Sequence, residues 1–347
     1  MRIAQVAPLA ESVPPKLYGG TERVVSWLTE ELVALGHDVT LFATGDSRTS
    51  ARLVPVWPKA LRFSRPRPEA APPCAALLET VARQVEDFDV VHCHTDWLHL
   101  PLLRRLGTPV LTTLHGRLDF GYLKQVAASF ADCAFVSISN SQRLPLQALR
   151  WSGTVYHGQP PDLLKPNFEP QNYLAFLGRL SPEKGPHTAI RIAKSAHLPL
   201  RIAAKLPRSQ NRFFREQLQP LIEDGDVEFI GEVDDEGKQS LLGNAAALLF
   251  PVEWPEPFGL VMIEAMACGT PVIAWRRGSV PEIVDEGLTG FVVDSLEEAV
   301  SAVGRLGELD RRKIRATFER RFSAQRMAQD YLELYRALGA PLVPEAR

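Results

Sequence analysis

The wiring of this chain constrains its fold more than any other feature. Short continuous apolar runs alternate with longer amphipathic stretches almost from end to end. Candidate strands fall at 2–7, 39–43, 89–93, 109–114, 134–138, 173–177, 199–204, 227–230, 246–250, 271–275 and 290–293. Most lack the apolar–polar alternation of a strand with one wet face, so both faces are expected to be covered. Helical patterns separate them at about 21–35, 75–86, 140–149, 184–196, 211–223, 235–243 and 259–268. Repeated strand–helix units with doubly buried strands predict the α/β class, built on doubly wound parallel sheets.

The wiring pauses once, at HGQPPDLLKPNFEPQ (157–171), where four prolines in fifteen positions leave no helical period. That run is expected to link two Rossmann-like domains, 1–165 and 166–322, with a cleft between them. The 347 residues suffice for two such cores. Near the end, Met327, Tyr331, Leu334 and Tyr335 share one helical face. A last helix, within about 323–347, is expected to bury that face by crossing back to the first domain. Segment 47–73, rich in Arg and Pro, fits no element. Open α/β sheets bind ligands beyond the carboxyl ends of their strands, which makes the facing sheet ends the expected active site.

Composition removes several function classes. Apolar residues at 45% and charged ones at 23% exclude disorder, and 39 Lys+Arg against 41 Asp+Glu leave no basic field for nucleic acid. The longest apolar runs, such as AAALLFPV at 245–252, have strand length and cannot cross a membrane. The start, MRIAQVAPLAESVPP, does not read as a signal peptide. Cys74, Cys93, Cys133 and Cys268 are scattered without paired spacing, as reduced thiols in a cytoplasmic protein would be. Neither a dinucleotide-type glycine fingerprint nor a P-loop occurs, so dehydrogenase and NTPase functions lose their main support.

The chemistry concentrates in WPEPFGLVMIEAMACGTPVIAW, 254–275. Pro257 suits a helix entry, Gly259 lets a ligand approach the amides around Phe258, Gly259 and Leu260, and Gly269 before Thr270 and Pro271 reads as a helix stop. The start of such a helix offers unpaired amides and a positive dipole end, an anion site. Glu264 lies five residues after Gly259, about 7–8 Å along the axis, roughly the separation of a diphosphate from its ribose hydroxyls. Glu256 ahead of the helix and Glu264 inside it therefore suit a sugar hydroxyl and a ribose. The alternative makes them a dipole-complementing charge and a solvated residue. Against that, Glu264 is flanked by Val261, Met262, Ile263, Ala265, Met266 and Ala267, and a carboxylate there needs a partner. In FLGRLSPEKG (176–185), Arg179 at the strand end and Lys184 five residues on bracket a loop, as a diphosphate leaving group would require.

These strings together resemble the retaining family 4 glycosyltransferases of GT-B fold. The resemblance rests on E-x₇-E with PFG after the first Glu, on EAMACGTPVIA, and on an ordered series of further motifs. That series is GGTERVVSWLTEELVALGHDVTLFA (19–43), DVVHCHTDW (89–97), TTLHG (112–116), VSISNSQ (136–142), FLGRLSPEKG and GSVPEIVDEGLTGFVV (278–293). It implies hexosyl transfer from a nucleotide diphosphate sugar, UDP- or GDP-linked, with retention and without a metal or other cofactor. It further implies that Gly20 and His115 of the first domain contact the donor sugar. The acceptor, a carbohydrate, lipid or small molecule, would bind the first domain. A nucleotide-sugar epimerase and a non-catalytic sugar-nucleotide binding protein remain the alternatives.

Other candidates read more plainly. His92, Cys93, His94, Asp96 and His99 have metal-ligand types but no second ligand group, so no metal is expected. Asp87-Phe88-Asp89 and Asp224-Gly225-Asp226 read as solvated turns, and the alternative to a sugar contact at Gly20 is a flexible turn with Thr21 as N-cap. His157 stands where the family often carries Asn, and Lys205 where it often carries Gly. The basic run RRKIRATFERRF (311–322), with Arg52, Lys59, Arg62, Arg65 and Arg67, is expected to be a solvated face, with peripheral contact to an inner membrane surface as the alternative.

Overall fold

The computed structural model describes residues 1–16, 19–206, 210–223 and 226–339. It divides into two compact units, Met1–Gly158 with Ala324–Arg347, and Gln159–Ser323. The first unit holds β1 (Arg2–Val6), β2 (Asp38–Thr44), β3 (Arg52–Trp57), β4 (Val90–Cys93), β5 (Val110–Thr113), β6 (Ala134–Ser137) and β7 (Trp151–Thr154) in the order β3-β2-β1-β4-β5-β6-β7, every pair parallel. The second holds β8 (Leu174–Arg179), β9 (Leu200–Lys205), β10 (Val227–Gly231), β11 (Ala247–Phe250), β12 (Val272–Trp275) and β13 (Gly290–Val293) in the order β10-β9-β8-β11-β12-β13, again all parallel. Each order reverses once, between β1 and β4 and between β8 and β11. Such reversals splay the flanking loops apart and open a crevice at the carboxyl edge.

The inner strands are buried on both faces, as VVHC, AFVS and ALLF show, which is why their sequences read as unbroken apolar runs. Two strands have no counterpart among the expected ones, β3 and β7, and they are the two edges of the first sheet. Their residues are largely half-buried or exposed, and Pro55 and Gly153 interrupt them, so neither carries a strand signature. Gly153 is small for a reason: a Cβ there would lie 3.0 Å from Leu334 Cδ2 of the last helix.

The helices differ from expectation in similar ways. The pattern at 140–149 shortens to Asn140–Arg143 and a 3₁₀ turn at Leu144–Leu146, where Pro145 removes a donor. The helix at Leu296–Gly304 had no counterpart, while the basic run read as a helix face is helical over Arg311–Phe322. Thr21 is not the N-cap of the first long helix, Gly20–Ala34; Gly19 is, close against Pro15.

The proline-rich run does not link the units freely. Gln159 N donates to Phe322 O at 3.0 Å, and the Arg315 guanidinium donates to Pro161 O and Leu164 O at 2.7 and 2.9 Å. These bonds tie residues after Gly158 to the second unit, so the division falls at Gly158/Gln159 and not at 165/166. The helix Ala324–Ala337 returns to the first unit and buries Met327, Tyr331 and Tyr335 there.

Candidate active site

In the second unit, the loops after β8 and β11 are locked together through backbone. Gly185 has φ +70°, and a Cβ on it would lie 2.1 Å from Pro251 O. Only glycine allows that approach in that conformation. Beside it, Glu253 N donates to Glu183 O at 2.9 Å. This contact sets Lys184 against Glu256: the ammonium donates to Glu256 Oε2 at 2.5 Å, and Trp254 Nε1 donates to the same oxygen at 2.7 Å. Lys184 also stands 4.7 Å from the centroid of the Trp254 ring, a cation–π contact. From the other side, Gly278 (φ +56°) leaves 2.3 Å between a built Cβ and both Glu256 N and O. Ser279 then donates its N–H to Glu256 O and its hydroxyl to Phe258 O, both at 2.9 Å. Glu256 is 8% exposed and fixed from three directions.

Gly259, at φ +79°, precedes the helix Leu260–Ala267, and no side chain caps it. The amide of Met262 turns back to Gly259 O at 3.0 Å, and those of Leu260 and Val261 have no acceptor inside the helix. The helix ends as the sequence indicates, with Gly269 at φ +74°, its N–H on Met266 O and that of Thr270 on Ala265 O, both at 2.9 Å. Phe258 is buried and Leu260 half-buried. Glu264, 4% exposed, has the partner its surroundings demand: Lys238 Nζ donates to it at 2.6 Å. Lys238 is the residue that sequence reasoning missed. It is the lone Lys or Arg in 235–243, the neighbouring helical pattern, and a search for the cation owed to Glu264 would have found it.

Arg179 ends β8 and is only loosely paired, 3.6 Å from Glu183, with a buried Nε that has no hydrogen-bond acceptor among the described residues. Lys205 is its neighbour in the β8–β9 register and lies 3.9 Å from Glu232. At the carboxyl edge of the second sheet, beside its reversal point, four cations, two near-buried carboxylates and an uncapped helix start are therefore gathered. Cations and amides suit a multiply charged anion, and the carboxylates suit hydroxyl donors.

Two family models match, glycosyl transferases group 1 over residues 164–319 and glycosyltransferase family 4 over residues 18–152. The chain belongs to the family 4 glycosyltransferases. It is 26% identical to a phosphatidyl-myo-inositol mannosyltransferase of Mycobacterium leprae over 96% of each chain. Among solved structures, AviGT4, a glycosyltransferase involved in avilamycin A biosynthesis, matches with TM-score 0.73 and 24% identity over 98% of each chain. Anabaena HepE, solved in complex with UDP and glucose, matches with TM-score 0.74 and 19% identity over 97% of this chain and 100% of its own. These likenesses give the GT-B fold, and the chain is an enzyme of the glycosyltransferase class.

In the first unit of this glycosyltransferase, the histidines form a buried chain of hydrogen bonds. His115 Nε2 meets His94 Nδ1 at 2.9 Å, and His94 Nε2 meets Gln5 Oε1 at 2.9 Å. Gln5 Nε2 donates to Tyr335 Oη at 3.1 Å; Tyr335 Oη meets His92 Nδ1 at 2.8 Å, and His92 Nε2 meets Thr113 Oγ1 at 2.7 Å. Thr113 Oγ1 in turn lies 3.0 Å from Tyr331 Oη. With each donor facing an acceptor, every imidazole in the chain can be neutral. Burial agrees, pushing His99 and His115 down to about 3 and holding His92, His94 and His157 well below the usual imidazole range. His115 Nδ1 is left as a buried acceptor with no partner among the described residues. His157 stacks on the His115 ring at 5.2 Å. Gly20 begins the helix Gly20–Ala34 and is exposed.

The remaining candidates resolve structurally. Asp89 is bound by Arg2 at 2.7 Å and is no open turn, while Asp224 and Gly225 lie outside the described residues. The run 311–322 is not simply a solvated face. Arg311 donates to Asn167 O, Ala245 O, Gly243 O and Thr270 Oγ1 at 2.7–3.0 Å, and Arg315 and Arg321 also reach backbone carbonyls. Among the described residues, no helix is long and apolar enough to cross a membrane.

Proposed function

We propose that this glycosyltransferase moves a hexosyl unit from a nucleotide diphosphate sugar to an acceptor hydroxyl with retention of anomeric configuration. The observation that carries it is the Lys184–Glu256 pair, clamped beside the uncapped start of the Leu260–Ala267 helix. In this assignment the pyrophosphate lies against Arg179, Lys184 and the amides of Phe258 to Leu260. Glu264, steadied by Lys238, accepts the ribose hydroxyls, and Glu256 orients hydroxyls of the sugar. Gly20 and His115 of the first unit are assigned to the donor sugar on the family resemblance. The bond from the anomeric carbon to the phosphate oxygen breaks as the acceptor oxygen bonds on the same face. The acceptor proton passes to the departing phosphate, so the products are the glycoside and the nucleoside diphosphate. Positive charge from Arg179 and Lys184 takes the neutralising role that a divalent cation fills elsewhere, without a metal or other cofactor.

The donor is UDP- or GDP-linked, and the four free thiols fit a cytoplasmic enzyme. Thermal-shift measurements against UDP, GDP, ADP and their sugars identify the nucleotide, since a ligand stabilises the state that binds it. With that donor, Lys184→Ala is expected to lower turnover about 10²–10³-fold. A near-normal rate in Lys184→Ala overturns the assignment.

A further inference from the structure

The first unit carries a hollow at its own reversal point. Its rim comes from the residues that leave β1 and β4, the strands between which the sheet order changes. It offers about 160 Å³ to a bound molecule, close to the size of an apolar cavity that admits benzene. Leu9, Leu61, Leu77, Leu78 and Leu98 are among its apolar wall residues, and Leu98 stands 57% exposed at the edge. An apolar concavity left open to water, at the place where α/β sheets bind ligands, marks a binding site better than a packing fault.

Besides the weakly polar Cys74 thiol, three polar residues line this hollow, and two are already satisfied. His94 is held by Gln5 and His115, and the Thr95 hydroxyl by His99 at 3.0 Å. Asp96 has no hydrogen-bond or ion-pair partner among the described residues. Its backbone sits at φ +50°, a conformation that Asp tolerates better than most residues, and this fixes where the carboxylate is presented. A carboxylate accepts hydrogen bonds and donates none, so it selects a hydroxyl or an ammonium and rejects an acid. The wall adjoins the imidazole chain, because His94 is bonded directly to His115.

We propose that this hollow is the acceptor site, and that it takes an alcohol with an apolar body whose hydroxyl donates to Asp96 on binding and turns to the departing phosphate oxygen for transfer. A carbohydrate acceptor bound through many hydroxyls does not fit, since the wall offers one free polar group. This deepens the proposed function and rests on it, since an acceptor requires transfer.

Calorimetric titration with 1-butanol, 1-hexanol and 1-octanol tests it, with hexanoate as the charged counterpart of hexanol. Affinity is expected to rise about fourfold per added methylene until the hollow is full. Hexanoate is expected to bind at least tenfold more weakly than 1-hexanol, and Asp96→Asn to remove most of that discrimination. Leu78→Trp, at a half-buried wall position, is expected to abolish alkanol binding while nucleotide stabilisation stays unchanged. Should Leu78→Trp fail to fold, the wild-type chain still gives an answer: 1-hexanol is expected to slow maleimide labelling of Cys74, which lines the hollow, and not of Cys133, which does not. Affinity independent of chain length, or equal protection of both thiols, overturns the proposal. Failure of every nucleotide to stabilise the wild-type chain would instead overturn the donor assignment.

Discussion

The Lys184–Glu256 contact invites a double-mutant cycle. At 2.5 Å and an effective dielectric constant near 20, the attraction is about 6–7 kcal/mol before desolvation. The two side chains keep only 15% and 10% of their exposure, so much of that attraction offsets the loss of water, and a net coupling of about 2–3 kcal/mol is expected. Lys184→Met leaves the Glu256 carboxylate near-buried with only the Trp254 N–H as partner, at a cost of about 3 kcal/mol. Glu256→Gln leaves the ammonium over the Trp254 ring and costs about 2 kcal/mol. The double variant should therefore be about 2–3 kcal/mol more stable than the sum of its parts predicts. Hydrogen exchange of the β8 and β11 amides reads this locally, which matters in a chain of two units. Additivity within about 0.5 kcal/mol would refute this account.

Other expectations follow from the same contacts. The buried histidines make the first unit acid-sensitive. Because His99 and His115 are pushed down to about 3, protons bind the unfolded chain first, and stability falls as pH drops below about 6.5. Each should cost about 2 kcal/mol by pH 5, so a melting temperature that stays flat between pH 7 and 5 would contradict the neutral network. Gly278→Ala sets a Cβ against Glu256 N and O at a left-handed position, and is expected to reduce transfer at least 100-fold in a folded protein. Unaltered transfer, with folding verified by circular dichroism, would show that the Glu256 loop need not be held.

Pattern alone determined the class of fold, because an inner parallel strand is covered on both faces and must be written as an apolar run. It also marked the 254–275 segment, since glycines at helix entry and exit and a carboxylate among Val261, Met262 and Ala265 are local features. Edge strands escaped it: β3 and β7 are only partly covered, so polar residues, Pro55 and Gly153 are tolerated there. Partners distant in sequence escaped it too. That Lys238 holds Glu264, that Gly278 shapes the Glu256 loop, and that arginines of 311–322 bind carbonyls depends on which loops and helices the sheets bring together. The hollow around Asp96 belongs to the same class, assembled from loops after β1, β3 and β4 and the Ala71–Arg83 helix. A sequence records periodicity and the demand of each buried charge for a partner, while the identity of that partner is decided by packing between distant segments.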